Sequence, residues 1–300
     1  MSIEVVRGRY RGPAWRSVTY GVHVTADAST VDELLAWQQL LPTHGGFTHL
    51  TGAAVRGWWL PPIPAAMPVF GSIGQRDPRP LREGIRTVRL KNPSAVETVG
   101  DVRVASAFEI LIACARDLGL LDMVVLLDGA ATAGDVDLAE LRRDPLLLRR
   151  RAGLPALRRA LELADPRSES AWETLLRLLH VVCGVEVEPQ FEVPELGARA
   201  DLLIVGTRTF HEYDGEVHLP RTQQRKDLRR HRRLDVDAWS RHGYTSDDVL
   251  HRAVTILRDA DHATGRPHEP ERVRVWHDLL RESLFTPAGT SRFLRRLGLE

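Results

Sequence analysis

Apolar positions follow two periods along this chain, and the switches between them mark its elements. Residues 30–41 carry Val31, Leu34, Leu35 and Leu41 on one stripe at helical spacing, with Ser29 or Thr30 as the cap. Residues 48–58 predict a second helix, stopped by Pro61-Pro62. Residues 67–73, 85–90 and 102–104 read as short strands separated by Gly, Pro and Asn turns. Ser106 opens a helix through Leu118. Past Gly119 the unbroken apolar run 120–127 reads as a buried strand.

Asp165-Pro166-Arg167-Ser168 is the clearest punctuation in the chain. Beyond it, residues 170–182 predict an amphipathic helix whose apolar face is Trp172, Leu175, Leu176, Leu179 and Val182, with Gly184 as its stop. Residues 185–193 and 198–205 read as a hairpin around 194–197, and 209–214 as a third strand ended by Gly215. A basic helix over 221–233 and an arginine-studded helical tail after Pro267 follow. Between them 241–251 offers almost no apolar run, so the sheet is expected to lack a strand there. The expected organisation is an α+β chain with a mixed α/β region over 1–165. A second unit over 166–262 has a mixed sheet flanked by helices, and 263–300 forms a helical tail.

Composition narrows the classes. The 300 residues hold 43% hydrophobic and 27% charged side chains, globular values that exclude disorder as the main state. The net charge of +1 advertises neither a nucleic acid nor a membrane, so such a partner must be sought in local clusters. The two cysteines, Cys114 and Cys183, make no disulfide framework, and no apolar run reaches the ~20 residues of a membrane span. A cytoplasmic protein without membrane association is the expectation.

Carboxylates supply the chemistry. Asp201 opens the apolar run Leu202-Leu203-Ile204-Val205, where an acid is costly without a partner or a metal. In Phe210-His211-Glu212-Tyr213-Asp214, period two sets Glu212 and Asp214 on one face. If the strands form a meander, Asp201 and Glu212 converge, and two converging carboxylates suit Mg²⁺. The 221–233 helix counts seven Lys and Arg against one Asp, and directly follows these acids. A phosphate-tracking role for Arg225, Lys226, Arg229, Arg230 and Arg233 is expected. Glu173 has two readings that can coexist: a capping-box acid answering Ser170, or a support of the site.

Ser168-Glu-Ser-Ala-Trp-Glu173, Glu188-Pro-Gln190, Ala198-Arg-Ala-Asp201-Leu and Glu212-Tyr-Asp214-Gly-Glu-Val-His218 stand in an order that resembles the core of the PD-(D/E)XK nuclease superfamily. They are most similar to its branch of small domains related to the very-short-patch-repair endonuclease. The likeness spans about residues 166–260. It implies a restriction-endonuclease-like fold, metal-holding acids at Asp201 and Glu212, support from Glu173, and His218 near the scissile phosphate, with Asp214 beside them. The superfamily's usual lysine two residues after the glutamate is Asp214 here. In the first half, Gly46-Phe-Thr-His-Leu-Thr-Gly-Ala-Ala-Val-Arg-Gly-Trp-Trp-Leu-Pro, Val102-Arg-Val-Ala-Ser-Ala-Phe-Glu and Leu120-Leu-Asp-Met-Val-Val-Leu-Leu-Asp-Gly-Ala loosely resemble the abortive-infection type IV antitoxin family. Relatives there are similar to DNA-binding repressors with an N-terminal winged helix, of which only the end is matched by Val5-Val-Arg-Gly-Arg-Tyr-Arg-Gly12.

Phosphate-binding Gly-Lys loops, Gly-x-Ser-x-Gly elbows, His-Glu-x-x-His helices and zinc-ligand spacing are absent from the sequence. The expected function is Mg²⁺- or Mn²⁺-dependent hydrolysis of DNA phosphodiester bonds, in repair or phage defence. Catalysis would fall to Asp201, Glu212, Asp214, His218 and Glu173. The alternative is a non-catalytic nucleic-acid-binding antitoxin or regulator on a nuclease-like scaffold, with a toxin or other protein as partner.

Overall fold

The computed structural model describes residues 6–8, 12–90, 95–193, 198–215 and 239–299. Three strands, β1 (Val6–Arg7), β2 (Trp15–Thr19) and β3 (Val22–Thr25), form an antiparallel sheet in the order β1-β3-β2. Helix α1 (Thr30–Gln38) starts at Ser29, whose hydroxyl accepts from the Asp32 N–H while the Asp32 carboxylate accepts from the Ser29 N–H. Helix α2 (His49–Val55) follows. Strands β4 (Val69–Ile73) and β5 (Ile85–Arg89) pair in parallel, and β6 (Val96–Val99) with β7 (Val102–Ala105) makes a hairpin. Phe47 bridges to both Gly71 and Val104, linking these two ladders.

Five helices come next: α3 (Ala107–Cys114), α4 (Leu120–Thr132), α5 (Leu138–Arg143), α6 (Leu154–Leu163) and α7 (Ala171–Val182). Helix α4 corrects the strand expected at 120–127. Its residues Leu121 through Ala130 are all buried, so the apolar run has no polar face from which a helical period could be read. The helix lies in the centre of the molecule, and Gly129 lets the chain at Trp59 approach closely. A Cβ there would stand 2.5 Å from the Trp59 nitrogen.

The second half is built on a four-stranded mixed sheet, β8 (Val187–Val193), β9 (Ala198–Ile204), β10 (Thr209–Tyr213) and β11 (Ser240–Tyr244), in the order β11-β10-β9-β8. The first three form the antiparallel meander, and β11 adds in parallel to β10. The hairpin tip at 194–197 lies outside the described residues. Strand β11 corrects the expectation that this stretch holds no strand. Its Arg241 and His242 face carboxylates, and its Tyr244 joins the buried core while its hydroxyl bonds Asp259, so the strand forms without an apolar run. Helices α8 (Ser246–His251), α9 (Ala253–Ala263), α10 (Arg274–Leu280) and α11 (Pro287–Arg296) close the chain. The fold is α+β.

One buried cluster runs from Leu50 through α3, α4, α6, α7 and α9 to Leu297. Two acids of α4 tie it together. Asp128, fully buried, pairs with Arg177 of α7 at 2.9 Å and accepts from Thr174 Oγ1 at 2.8 Å and the Asp165 N–H at 2.8 Å. Asp122 accepts from Ser283 Oγ at 2.5 Å and the Leu284 N–H at 2.9 Å. Burial pushes the Asp122 carboxyl up to about 7 and that of Asp128 to about 6. Among the described residues no helix is long and apolar enough to cross a membrane.

Candidate functional site

Register across the second sheet sets the predicted acids at one level. Strands β9 and β10 pair Leu203 with Phe210 and Leu202 with His211, so the next step brings Glu212 opposite Asp201. Residues directly opposite in an antiparallel pair project to the same face. On the other side of β9, Pro189 pairs with Leu202 and Phe191 with Ala200, which leaves Gln190 opposite Asp201. Gln190, Asp201 and Glu212 therefore form a row across three strands. Asp201 Oδ2 also accepts the Tyr213 N–H at 2.9 Å, which holds its carboxylate against the end of β10.

Helix α7 brings the fourth residue. Ser170 Oγ caps the helix by accepting the Glu173 N–H at 3.1 Å. The Glu173 side chain returns to the turn, accepting from Ser170 Oγ and from the Glu169 N–H, each at 2.9 Å. Its Oε2 also accepts from Gln190 Nε2 at 2.9 Å. The capping box is therefore incomplete, because the carboxylate accepts from the Ser170 hydroxyl and the Glu169 N–H and not from the Ser170 N–H, and the same carboxylate is bonded to Gln190. Gln190 adopts φ of +55°, a left-handed backbone rare for a side chain with a Cβ. Such strain costs about 1–3 kcal/mol and persists where surrounding structure imposes it. The packing of α7 against β10, with Trp172 stacked on Tyr213 at 5.6 Å, fixes the height of Glu173.

Arg241, absent from the predicted set, dominates the electrostatics. Its guanidinium donates from Nε to Glu212 Oε2 and from Nη2 to Asp214 Oδ1. Parallel pairing sets Arg241 opposite Phe210 and Gly243 opposite Glu212, so Arg241, Glu212 and Asp214 share one face. The Glu212 side chain is 9% exposed and that of Asp214 42%. Gly243 makes the arrangement possible, since a Cβ there would fall 1.7 Å from Asp214 Oδ2. Desolvation lowers the affinity of Arg241 for its proton, but the two carboxylates outweigh it and raise its pKa. No local sequence signal marks Arg241, because its partners lie on another strand.

The opposite face of β10 carries a second polar group that sequence reasoning missed. His180 Nδ1 lies 2.7 Å from the Leu176 carbonyl, and His180 Nε2 lies 2.8 Å from His211 Nδ1. The carbonyl only accepts, so His180 donates from Nδ1 and His211 donates to His180 Nε2. Tyr244 O–H donates to Asp259 Oδ2 at 3.0 Å, with its oxygen 3.4 Å from His211 Nε2. Burial lowers His180 to about 4 and drives His211 well below the ordinary histidine value. Both rings are neutral core residues. Nothing in a single sequence separates such histidines from surface ones except the apolar neighbours on their own element.

His218 and the five basic residues Arg225, Lys226, Arg229, Arg230 and Arg233 lie outside the described residues. Among the described residues no group of three or more His, Cys, Asp or Glu side chains is arranged to hold a metal. The pair Asp201 and Glu212 is a smaller set, of hard oxygen donors only. Comparison with family models, with curated proteins and with solved structures finds no match for this chain.

Proposed function

We propose that the second sheet carries a divalent-metal-dependent nuclease site acting on DNA phosphodiester bonds, as the resemblance to the PD-(D/E)XK superfamily implies. The observation that carries this reading is the row Gln190–Asp201–Glu212 with Glu173 bonded into it. One or two carboxylates with water in the remaining positions is how Mg²⁺ is commonly bound, so the donor set fits. Asp201 and Glu212 would hold Mg²⁺ or Mn²⁺, which when bound polarises a phosphoryl oxygen and lowers the pKa of a coordinated water.

The chain's own residues have separate tasks in this reading. The Tyr213 N–H orients Asp201, and Glu173 braces the row from α7 through Gln190. Arg241 supplies positive charge on the face where the superfamily pattern has lysine, close to where negative charge grows on a phosphoryl group. Asp214 holds Arg241 from its outer side. His218 is assigned leaving-group or water chemistry and the 221–233 segment the DNA backbone, both on the resemblance and on charge alone.

The ion pairs of Arg241 also favour a second reading. A guanidinium that already neutralises Glu212 and Asp214 suits a scaffold that binds nucleic acid, and a toxin or other protein partner, without chemistry. The deciding experiment is cleavage of plasmid and single-stranded DNA with Mg²⁺ or Mn²⁺ by wild type and Asp201→Ala. Cleavage by wild type alone supports the enzyme. Salt-sensitive retention of DNA by both, with no cutting and no metal requirement, supports the scaffold.

A further inference from the structure

Far from the carboxylate row in sequence, β4, β5 and the end of α3 enclose a cleft of about 770 Å³. Arg79, Arg82, Arg86, Arg89 and Arg116 line it, and Asp117 is the only acid among its lining residues. Loop residues 74–84 bring Arg79 and Arg82, strand β5 brings Arg86 and Arg89, and Arg116 follows α3. Five arginines against one acid make the lining of this cleft strongly basic, which favours an anion there.

Three of these arginines are held in place by backbone carbonyls, not by carboxylates. Arg82 Nη1 donates to the Tyr20 carbonyl at 2.6 Å, and Arg89 Nη1 to those of Gly74 and Gln75 at 2.8 and 2.6 Å. Arg86 Nη1 donates to the Leu297 carbonyl. A carbonyl orients a guanidinium without cancelling its charge, and each group keeps further N–H donors. Arg79 and Arg116 have no ion-pair or hydrogen-bond partner among the described residues. Asp117 is turned inward: its Oδ2 lies 3.3 Å from Nε2 of His49, a fully buried residue. Burial raises the Asp117 carboxyl, but His49, Arg116 and Arg86 together outweigh this and hold it below the usual range.

Beneath the cleft the backbone is strained. His49 takes φ of +54° and stacks on Phe70, a cleft residue, at 4.1 Å between ring centroids. Ile85 and Val88, both half-buried, give the cleft an apolar wall beside its charges. The volume lies within the roughly 300–1,000 Å³ of small-ligand sites. A DNA duplex, about 20 Å across, is too wide to enter a cleft of that volume, whereas several phosphates on a compact ligand match a guanidinium ladder.

We propose that this arginine-walled cleft is a binding site for a small polyphosphate ligand of nucleotide size, separate from the carboxylate row. Phosphate groups pair with Arg79, Arg82, Arg86 and Arg116, and Ile85 and Val88 flank the uncharged part of the ligand. The site owes nothing to Asp201 or to a metal.

The test uses the full chain in buffer containing EDTA, with adenosine triphosphate and inorganic tripolyphosphate as probes, followed by calorimetry and thermal shift. Both probes are expected to bind and to raise Tm, with affinity falling as salt rises. Arg79→Ala/Arg116→Ala is expected to weaken both by about tenfold or more, as loss of charge-assisted hydrogen bonds requires. Arg158→Ala/Arg159→Ala, which removes the same charge from the exposed face of α6, is expected to bind like wild type. Tighter binding of adenosine triphosphate than of tripolyphosphate assigns the apolar wall to the base; equal binding assigns recognition to phosphate alone. Failure of both probes to bind overturns the proposal. So does equal weakening by the two double variants, or a short DNA duplex as the one probe whose binding Arg79→Ala/Arg116→Ala abolishes.

Discussion

Asp201 and Tyr213 are joined by a single hydrogen bond of 2.9 Å, from the Tyr213 backbone N–H to the Asp201 carboxylate. It lies where β10 ends against β9, so the acid in the middle of one strand is seated by the end of the next. An asparagine preserves a side-chain oxygen to accept this bond; an alanine does not. Asp201→Asn is therefore expected to fold within about 0.5 kcal/mol of wild type, and Asp201→Ala to lose about 1 kcal/mol more. Denaturant titration checks the stabilities, and under the nuclease reading both variants lose DNA cleavage.

Arg241→Gln leaves the nearly buried Glu212 without its cation. A loss of about 2–3 kcal/mol is expected, below the ~3–5 of a fully buried pair because Asp214 is open to solvent. If Asp201 and Glu212 hold Mg²⁺, the ion replaces the missing charge, and Mg²⁺ raises the Tm of Arg241→Gln more than that of wild type. Equal shifts in the two proteins count against metal at this pair.

The pair Asp128–Arg177 joins α4 to α7 with both side chains buried. Asp128→Ala leaves the buried guanidinium with the Leu163 carbonyl and Ser168 Oγ but no carboxylate, and is expected to cost about 3–5 kcal/mol. Replacing both partners, Asp128→Leu with Arg177→Met, is expected to recover part of that loss. Urea denaturation of the single and double variants measures the coupling, and additive losses would sink this account.

Acid sensitivity follows from His180 and His211. Their folded pKa values lie below the unfolded value of about 6.5, so the stability they contribute is present above pH 6.5 and lost as pH falls. For His180, lowered to about 4, the loss across that window is about 3 kcal/mol. His180→Gln is expected to flatten the slope of stability against pH between 6.5 and 4. An unchanged slope would mean that water reaches the two rings.

Asp122 runs the other way. Its folded value of about 7 lies above the unfolded one, so its contribution is complete below about pH 4 and is lost as pH rises through 7. Asp122→Asn, which cannot ionise and keeps an acceptor for Ser283 and Leu284, is expected to gain on wild type as pH rises from 4 to 8. Paired denaturation curves at the two ends of that range check the sign.

Much of this protein is written in short-range signals. Ser29 and Ser170 mark the starts of α1 and α7, and the alternation at 209–214 gives β10 with Glu212 and Asp214 on one face. Local spacing suffices there because capping and strand pleat act within a few residues. The antiparallel pairing of β8 with β9 and of β9 with β10 matches the meander expected from the sequence. The α+β class follows from the same alternation of periods.

Other features exist only because distant segments meet. The run Leu120–Leu127 became a helix because burial on every side removed the polar face that would have announced it. Strand β11 is nearly without apolar residues and is held by pairing with β10, so composition could not find it. Arg241 acquired its importance when parallel register set it beside Glu212, and His180 and His211 theirs when α7 packed across β10. Five arginines scattered over 79–116 share a cleft for the same reason. A sequence specifies such partners through the whole packing solution, and no window of neighbouring residues contains both halves of the contact.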